Sequence, residues 1–124
     1  MNTATTEEKV SVYRRTICRI YIHCLKTLIC LFLLPPIYYH GISGQLKCVI
    51  DRFYSALYPA APKSLTKIAM FLSSGDRNQY DGAMFSYKGD FLGYLGLKDM
   101  GVFTSAGGVS DELLAKIRKF GESL

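Results

Sequence analysis

The segment Lys67–Gly75, with the sequence KIAMFLSSG, decides the fold class of this 124-residue chain. Its centre, Ile68–Leu72, is continuously apolar, with a lysine before it and Ser73-Ser74-Gly75 after it. A short apolar run without alternation is typical of a strand that is buried on both faces of a parallel sheet. We therefore predict such a strand over residues 68–73.

Similar patterns lie on both sides of this strand. Residues 101–104 form a second short apolar run, and Leu31–Leu34 forms a third run that could be a strand. The helical spacing of apolar residues predicts amphipathic helices over residues 44–58 and 110–120, the second of them capped by Ser110. Strands that alternate with helices predict an α/β fold with an open parallel sheet and helices on both faces.

Two further helix predictions come from local detail. The glycine-rich region 77–94 is interpreted as a loop followed by a helix over residues 85–94. The last helix is expected to end at Gly121. Its buried stripe is predicted to consist of Leu113, Leu114, Ile117 and Phe120.

Three polar or glycine-bearing loops follow the predicted strands. They are Pro36–Gly44, Ser73–Tyr80 and Ser105–Val109. Each alone is typical of an ordinary turn. Because ligands of open parallel sheets bind outside the carboxyl ends of the strands, three such loops at one edge predict a binding cleft.

Composition narrows the class of protein. The chain is 49% hydrophobic and 20% charged, which is typical of one globular domain. The formal net charge is +5, and six basic against two acidic side chains in residues 1–50 account for most of it. No recognisable nucleic-acid-binding motif accompanies this charge, so we expect no nucleic-acid partner.

Four cysteines, Cys18, Cys24, Cys30 and Cys48, form no CxxC pair, which argues against a metal site. We interpret them as free thiols of a reducing cytoplasm. The apolar stretch Ile17–Leu34 is interrupted by charged residues, and its clean apolar run Leu28–Leu34 is too short for a membrane span, so membrane association is only an alternative.

The stretch Pro36–Tyr54, PIYYHGISGQLKCVIDRFY, resembles the NADPH-dependent FMN reductase family and its flavodoxin-like NAD(P)H–quinone oxidoreductase relatives. The segments KIAMFLSSG and YLGLKDMGVFTSAGG are similar to the last two strands of that family. The resemblance covers roughly residues 32–124. It implies a flavodoxin-like three-layer fold, FMN as cofactor, NAD(P)H as electron donor, and a homo-oligomer.

The resemblance also implies where the flavin ring binds. A flavin has apolar ring faces and a polar edge, so glycines that allow close approach and tyrosines that cover a face suit it. The implied contacts are Pro36, Ile37, Tyr38, Tyr39, His40, Gly41, Ser43 and Gly44, with a second loop of Ser73, Ser74 and Gly75. Tyr38 and Tyr39 could instead be surface packing, and His40 is either a proton donor or a solvated histidine. No catalytic residue is assigned.

Residues 1–35 depart from the resemblance. The family begins with a strand and a hydroxyl-rich loop that binds the FMN phosphate at a helix N-terminus, and neither is found here. Plausible codons for residues 1–35, read one nucleotide earlier, can encode a family-like sequence that rejoins the frame at Pro35-Pro36. We therefore interpret residues 1–35 as an atypical, out-of-frame segment that does not reproduce the first βα unit of the family. Residues 36–124 are then the C-terminal part of a flavodoxin-like domain.

The sequence is compatible with two functions of different classes. The first is an FMN-dependent NAD(P)H oxidoreductase, truncated or frameshifted, in which the missing phosphate loop makes FMN binding weak. The second is a non-catalytic α/β interaction module or a small membrane-associated protein.

Overall fold

Helices and strands alternate along the part of the chain that the computed structural model describes, residues 19–57 and 60–124. The order is helix α1 (Arg19–Thr27), strands β1 (Cys30–Leu33), β2 (Ile37–Tyr38) and β3 (Gly41–Ile42), helix α2 (Gly44–Leu57), strand β4 (Lys67–Ser74), helix α3 (Asp81–Ser86), a π-helical segment (Tyr87–Tyr94), strand β5 (Lys98–Ala106) and helix α4 (Asp111–Glu122). The predicted α/β class is confirmed.

Three parallel strands form the main sheet, in the order β1-β4-β5. Leu31 pairs with Ile68 between β1 and β4, and Phe71 pairs with Phe103 between β4 and β5. The strands predicted at 68–73 and 101–104 and their parallel pairing are therefore confirmed. Strand β5 begins at Lys98, earlier than predicted, because its first residues are exposed and give no apolar signal.

Strand β1 lies before the boundary that we placed between residues 35 and 36. It matches the run Leu31–Leu34, shifted by one residue. The same segment contains helix α1 over Arg19–Thr27, and residues 1–18 lie outside the described part. The sheet therefore includes a strand from the segment that we interpret as out of frame.

Strand β5 contains a β-bulge. Ile68 pairs with Asp99 but Met70 pairs with Val102, so β5 has one residue more than β4 over this stretch. Gly101 lies in the bulge with a φ of 129°, a conformation that favours glycine, and its N–H donates to Asp99 Oδ1 at 2.8 Å.

The main core lies on one face of the sheet. Alternate residues of β4 are buried there, and α2, α3 and the π-helical segment cover them. The strand residues of this face are Leu31, Leu33, Ile68, Met70 and Leu72. Ala83, Tyr87 and Phe91 pack against them from the helical side at intervals of four residues.

The other face carries a cluster of phenylalanines. Phe71 stacks on Phe103 with ring centroids 4.9 Å apart, and Phe120 of α4 lies 5.1 Å from Phe103. Phe32 of β1 completes the cluster at 6.2 Å from Phe120. Because α2 and α4 lie on opposite faces, the predicted layered arrangement is confirmed.

The structure corrects three helix predictions. The helix expected over residues 85–94 begins at Asp81, because Gly82 and the other glycines weaken the helical signal of a segment that tertiary packing stabilises. Helix α4 continues through Gly121 to Glu122. Of the predicted buried stripe, Leu113, Ile117 and Phe120 are only partly buried, and Leu114 is 50% exposed.

Helix α2 agrees with the prediction of residues 44–58 up to Leu57. Within the described residues, no helix has both the length and the apolar character needed to cross a membrane.

Candidate functional site

The predicted flavin loop folds as a tight β-hairpin. Ile37 pairs with Ile42, and Tyr38 pairs with Gly41, in an antiparallel ladder. Sequence reasoning expected a loop here and missed the hairpin, since the Asn-Gly or Asp-Gly pair that marks two-residue turns is absent.

The hairpin turn is strained. Tyr39 has a φ of 48° and His40 a φ of 65°, values at which residues other than glycine are uncommon. Each such residue costs on the order of 1–3 kcal/mol and persists only where its surroundings hold it. Strain of this kind is concentrated at binding and catalytic sites, so the turn is a candidate ligand contact.

Exposure separates the residues of the hairpin. Tyr39 is 99% exposed and Tyr38 is 64% exposed, so both rings are displayed to solvent. Ile37 is only 4% exposed and belongs to the core, because strand alternation turns its side chain away from its neighbour. Ile37 can therefore offer a ligand its backbone but not its side chain.

The two predicted flavin loops meet at the carboxyl edge of the sheet. Pro36 forms a parallel bridge with Ser73, and the Ser73 N–H donates to the Pro35 carbonyl at 3.5 Å. This contact follows from the parallel pairing of β1 and β4, whose ends lie side by side. The structure thus brings together loops that are more than thirty residues apart in the sequence.

Two glycines leave open space at this edge. A Cβ atom added at Gly44 or at Gly75 would meet no atom of the other described segments within 4 Å, and one at Gly41 would lie 3.7 Å from the Tyr38 carbonyl. Neither Gly44 nor Gly75 has a positive φ. The fold does not require glycine at these two positions. The open space beside their backbone is accessible to a ligand.

The N-terminus of α2 adds hydrogen-bond donors. Ser43 caps the helix, because its Oγ accepts from the Leu46 N–H at 3.4 Å. The Lys47 N–H donates to the Ser43 carbonyl. The N–H groups of Gly44 and Gln45 have no acceptor among the described residues.

Helix α3 supports the hairpin from one side. A Cβ atom at Gly82 would overlap the carbonyl oxygen of His40, so only glycine allows this approach. The first turn of α3 therefore lies directly against the strained turn.

Hydrogen bonds link the second loop to β5. Ser74 Oγ donates to the Tyr80 hydroxyl at 2.8 Å, and that hydroxyl donates to the Ser105 carbonyl at 3.1 Å. The Gly107 N–H donates to the Ser74 carbonyl at 2.8 Å. Sequence reasoning placed Tyr80 at the end of a loop but gave it no role, since its partners lie in other segments.

The third predicted loop borders a polar cavity of about 360 Å³. Its lining residues are Arg77, Tyr80, Thr104, Ser105, Ala106, Gly108, Ser110 and Leu113. A separate apolar groove of about 210 Å³ lies between α2 and the π-helical segment, where Ile50, Phe53 and Phe91 contribute to its walls. The groove includes none of the predicted flavin residues.

The clearest electrostatic perturbation lies away from the loops. The buried Tyr87 hydroxyl lies 2.8 Å from Asp99 Oδ1 and 3.2 Å from the Ile68 carbonyl. Burial, together with the bond to the Asp99 carboxylate, raises the pKa of Tyr87 well above its usual value. Tyr87 is therefore a structural group that fixes the bulge of β5.

The described cysteines are free thiols. Burial raises the pKa of the Cys30 thiol, while Lys67 acts in the opposite direction. Within residues 19–57 and 60–124, no three His, Cys, Asp or Glu side chains lie close enough to hold a metal ion.

Comparison with known proteins shows the fold. No protein-family model matches the chain, and no curated protein matches it. The structure of Trp repressor binding protein from Bacillus subtilis is similar, with a TM-score of 0.53 and 20% identity over 86% of this chain and 70% of that one. NAD(P)H:quinone oxidoreductase from Methanothermobacter marburgensis gives a TM-score of 0.45 and 17% identity over 97% and 62%. The predicted flavodoxin-like fold is confirmed.

Proposed function

We propose that this chain is an FMN-dependent NAD(P)H oxidoreductase of the flavin or quinone reductase type, with weakened FMN binding. One observation carries the proposal: the hairpin after β1 and the loop after β4 meet at the carboxyl edge of the sheet through the Pro36–Ser73 bridge. This edge is where open α/β sheets bind their ligands.

The residues at this edge fit a flavin ring. The exposed rings of Tyr38 and Tyr39 can cover a ring face, and the open backbone at Gly44 allows close approach. The N–H groups of Gly44 and Gln45, which have no acceptor among the described residues, suit the polar edge of the ring. When bound, FMN supplies the chemistry that passes a hydride from NAD(P)H to a quinone or other acceptor. The chain holds and orients the ring and keeps it beside the strained turn.

The phosphate is the weak point of this site. The loop before α2 is assigned to the flavin ring, and the loop Ser105–Ser110, which also bears serine and glycine, precedes α4, whose first residues are Asp111 and Glu112. These two carboxylates favour the positive end of the helix and oppose an anion there. A phosphate cradle contributes several charge-assisted hydrogen bonds of about 1.5–3 kcal/mol each. The loss of two of them costs on the order of 3–6 kcal/mol, a factor of hundreds to tens of thousands in affinity.

Titration of the purified chain with FMN and with riboflavin tests the proposal. We expect weak quenching of flavin fluorescence, with similar dissociation constants for the two ligands because the phosphate is not recognised. Tight binding of FMN with rejection of riboflavin would reveal a phosphate site and contradict the proposal that FMN binding is weakened. Failure to bind either flavin would refute the proposed function.

A homo-oligomer is part of the proposal. Among the described residues, β1 pairs with β4 on one side only, and its Phe32 is exposed together with Ile29 and Leu34 beside it. An unpaired apolar strand edge favours association. A monomer in light scattering of the full chain would contradict the oligomer.

We also expect a reducing compartment such as the cytoplasm, in keeping with the free thiols of Cys24 and Cys48.

The same exposed edge favours the second function, a non-catalytic α/β interaction module. That function predicts a stable oligomer or complex without flavin binding. The fluorescence titration and light scattering together distinguish the two.

The reading frame of residues 1–35 is a further part of the proposal. β1 pairs with β4 although it precedes Pro36, because a short apolar run can fill an edge position of a sheet. The nucleotide sequence before Met1 and through Pro35-Pro36 tests it. A family-like strand and phosphate loop should appear in the alternative frame; without them, residues 1–35 are in their native frame.

A further inference from the structure

Three parts of the candidate site converge on one residue, Tyr80. Its hydroxyl accepts from Ser74 in the loop after β4 and donates to the Ser105 carbonyl at the end of β5. Its own carbonyl accepts from the Met84 N–H and so begins α3. Two residues later, Gly82 lies against the carbonyl of His40.

The Tyr80 hydroxyl decides the direction of the Ser74 hydroxyl. A serine hydroxyl carries one proton, and Ser74 lies within bonding distance of both Tyr80 and the Asp76 carbonyl. The bond to Tyr80 directs Ser74 toward β5, whereas the bond to Asp76 stays within the loop. Without the Tyr80 oxygen, the Asp76 carbonyl is the one of these two acceptors that remains for the Ser74 hydroxyl.

The ring of Tyr80 explains why this link is rigid. It is half-buried and packs against the main hydrophobic core, so the hydroxyl is held in place by the body of the protein. A second bond, from the Gly107 N–H to the Ser74 carbonyl, fixes the backbone of the same residue.

We propose that Tyr80 is a positioning residue, which holds the loop after β4 in the conformation that receives the flavin ring. The inference rests on the proposed function. Tyr80 acts through Ser74 and does not itself have to touch the flavin.

A double-mutant cycle on the full chain tests this role. We expect Tyr80→Phe to raise the riboflavin dissociation constant about fivefold, the effect of one neutral hydrogen bond. In a Ser74→Ala background, Tyr80→Phe should have a smaller effect than in the wild type, because the Ser74–Tyr80 bond is already lost and only the bond to the Ser105 carbonyl is left to remove. Tyr94→Phe, which removes a hydroxyl from an exposed ring, is the matched control and should bind like the wild type.

A measurement without ligand separates this inference from the proposed function. In flavin-free protein, Tyr80→Phe should accelerate hydrogen exchange at the Gly107 amide, while the urea midpoint of global unfolding serves as the folding control. If Tyr80→Phe acts additively with Ser74→Ala, or leaves both binding and Gly107 exchange unchanged, the positioning role is wrong. A wild-type chain that binds no riboflavin refutes the proposed function, and unchanged Gly107 exchange in the variant then refutes the loop-holding role as well.

Discussion

A methyl group added at Gly44 should lower the affinity for flavin without lowering the stability of the fold. The position is the first residue of α2 and has no positive φ, and an added Cβ would meet no atom of the other described segments within 4 Å. Alanine is favoured over glycine in helices by up to about 1 kcal/mol, so Gly44→Ala should leave stability unchanged or raise it by less than that amount.

Flavin binding should respond in the opposite direction. If the ring lies against the Gly44 backbone, the methyl group occupies the space that the ring needs. Forced overpacking costs about 1–3 kcal/mol, which corresponds to a riboflavin dissociation constant raised about 5- to 150-fold. Fluorescence titration measures the affinity, and urea unfolding measures the stability of the same sample.

Gly121→Ala is the matched control for this experiment. Gly121 also lies in a helix and its added Cβ also meets nothing within 4 Å, but it is in the last turn of α4. The control should bind riboflavin like the wild type. If Gly44→Ala binds riboflavin as tightly as Gly121→Ala does, the flavin does not lie against this backbone and the assignment of Gly44 is wrong.

Three other predictions concern the supports of the site. Gly82→Ala should destabilise the protein by about 1 kcal/mol in urea unfolding, because the added methyl group overlaps the His40 carbonyl. The gain in helix propensity offsets only part of that cost. Unchanged stability would show that α3 does not pack tightly against the hairpin. Tyr87→Phe should cost about 1.5–3 kcal/mol, because it removes the bond to the Asp99 carboxylate, and an equal effect of the exposed control Tyr94→Phe would contradict this. Because the pKa of Tyr87 is raised in the folded protein, its contribution to stability is complete below the unfolded tyrosine value of about 10 and is lost as pH rises above it. The urea midpoint should therefore fall more steeply above about pH 10 in the wild type than in Tyr87→Phe.

The strands were predictable because burial on both faces leaves a direct trace in the sequence. Ile68–Leu72 is apolar throughout, and the structure buries most of it. The helix that begins at Asp81 was not predictable in full, because Gly82 serves a close contact with the His40 carbonyl rather than helix formation.

The candidate site was predictable only as a location. The loops after β1 and β4 were expected at one edge, and the Pro36–Ser73 bridge places them together. The strained turn at Tyr39 and His40 leaves no local signal, and the role of Tyr80 depends on partners 6 and 25 residues away. Ile37 was included among the contacts because it belongs to the motif, although strand alternation directs its side chain to the core.

The bulge in β5 decides which side of the sheet each later residue of that strand faces. Side chains alternate along a strand, so one extra residue exchanges the two faces for everything that follows. With the bulge, Phe103 lies opposite Phe71 and joins the aromatic side beneath α4. Without it, Met70 would lie opposite Gly101 and Leu72 opposite Phe103, and the phenylalanine would point toward the aliphatic side. The bulge at Gly101, whose N–H is bonded to the carboxylate of Asp99, therefore places Phe103 in the aromatic layer and keeps it out of the aliphatic one.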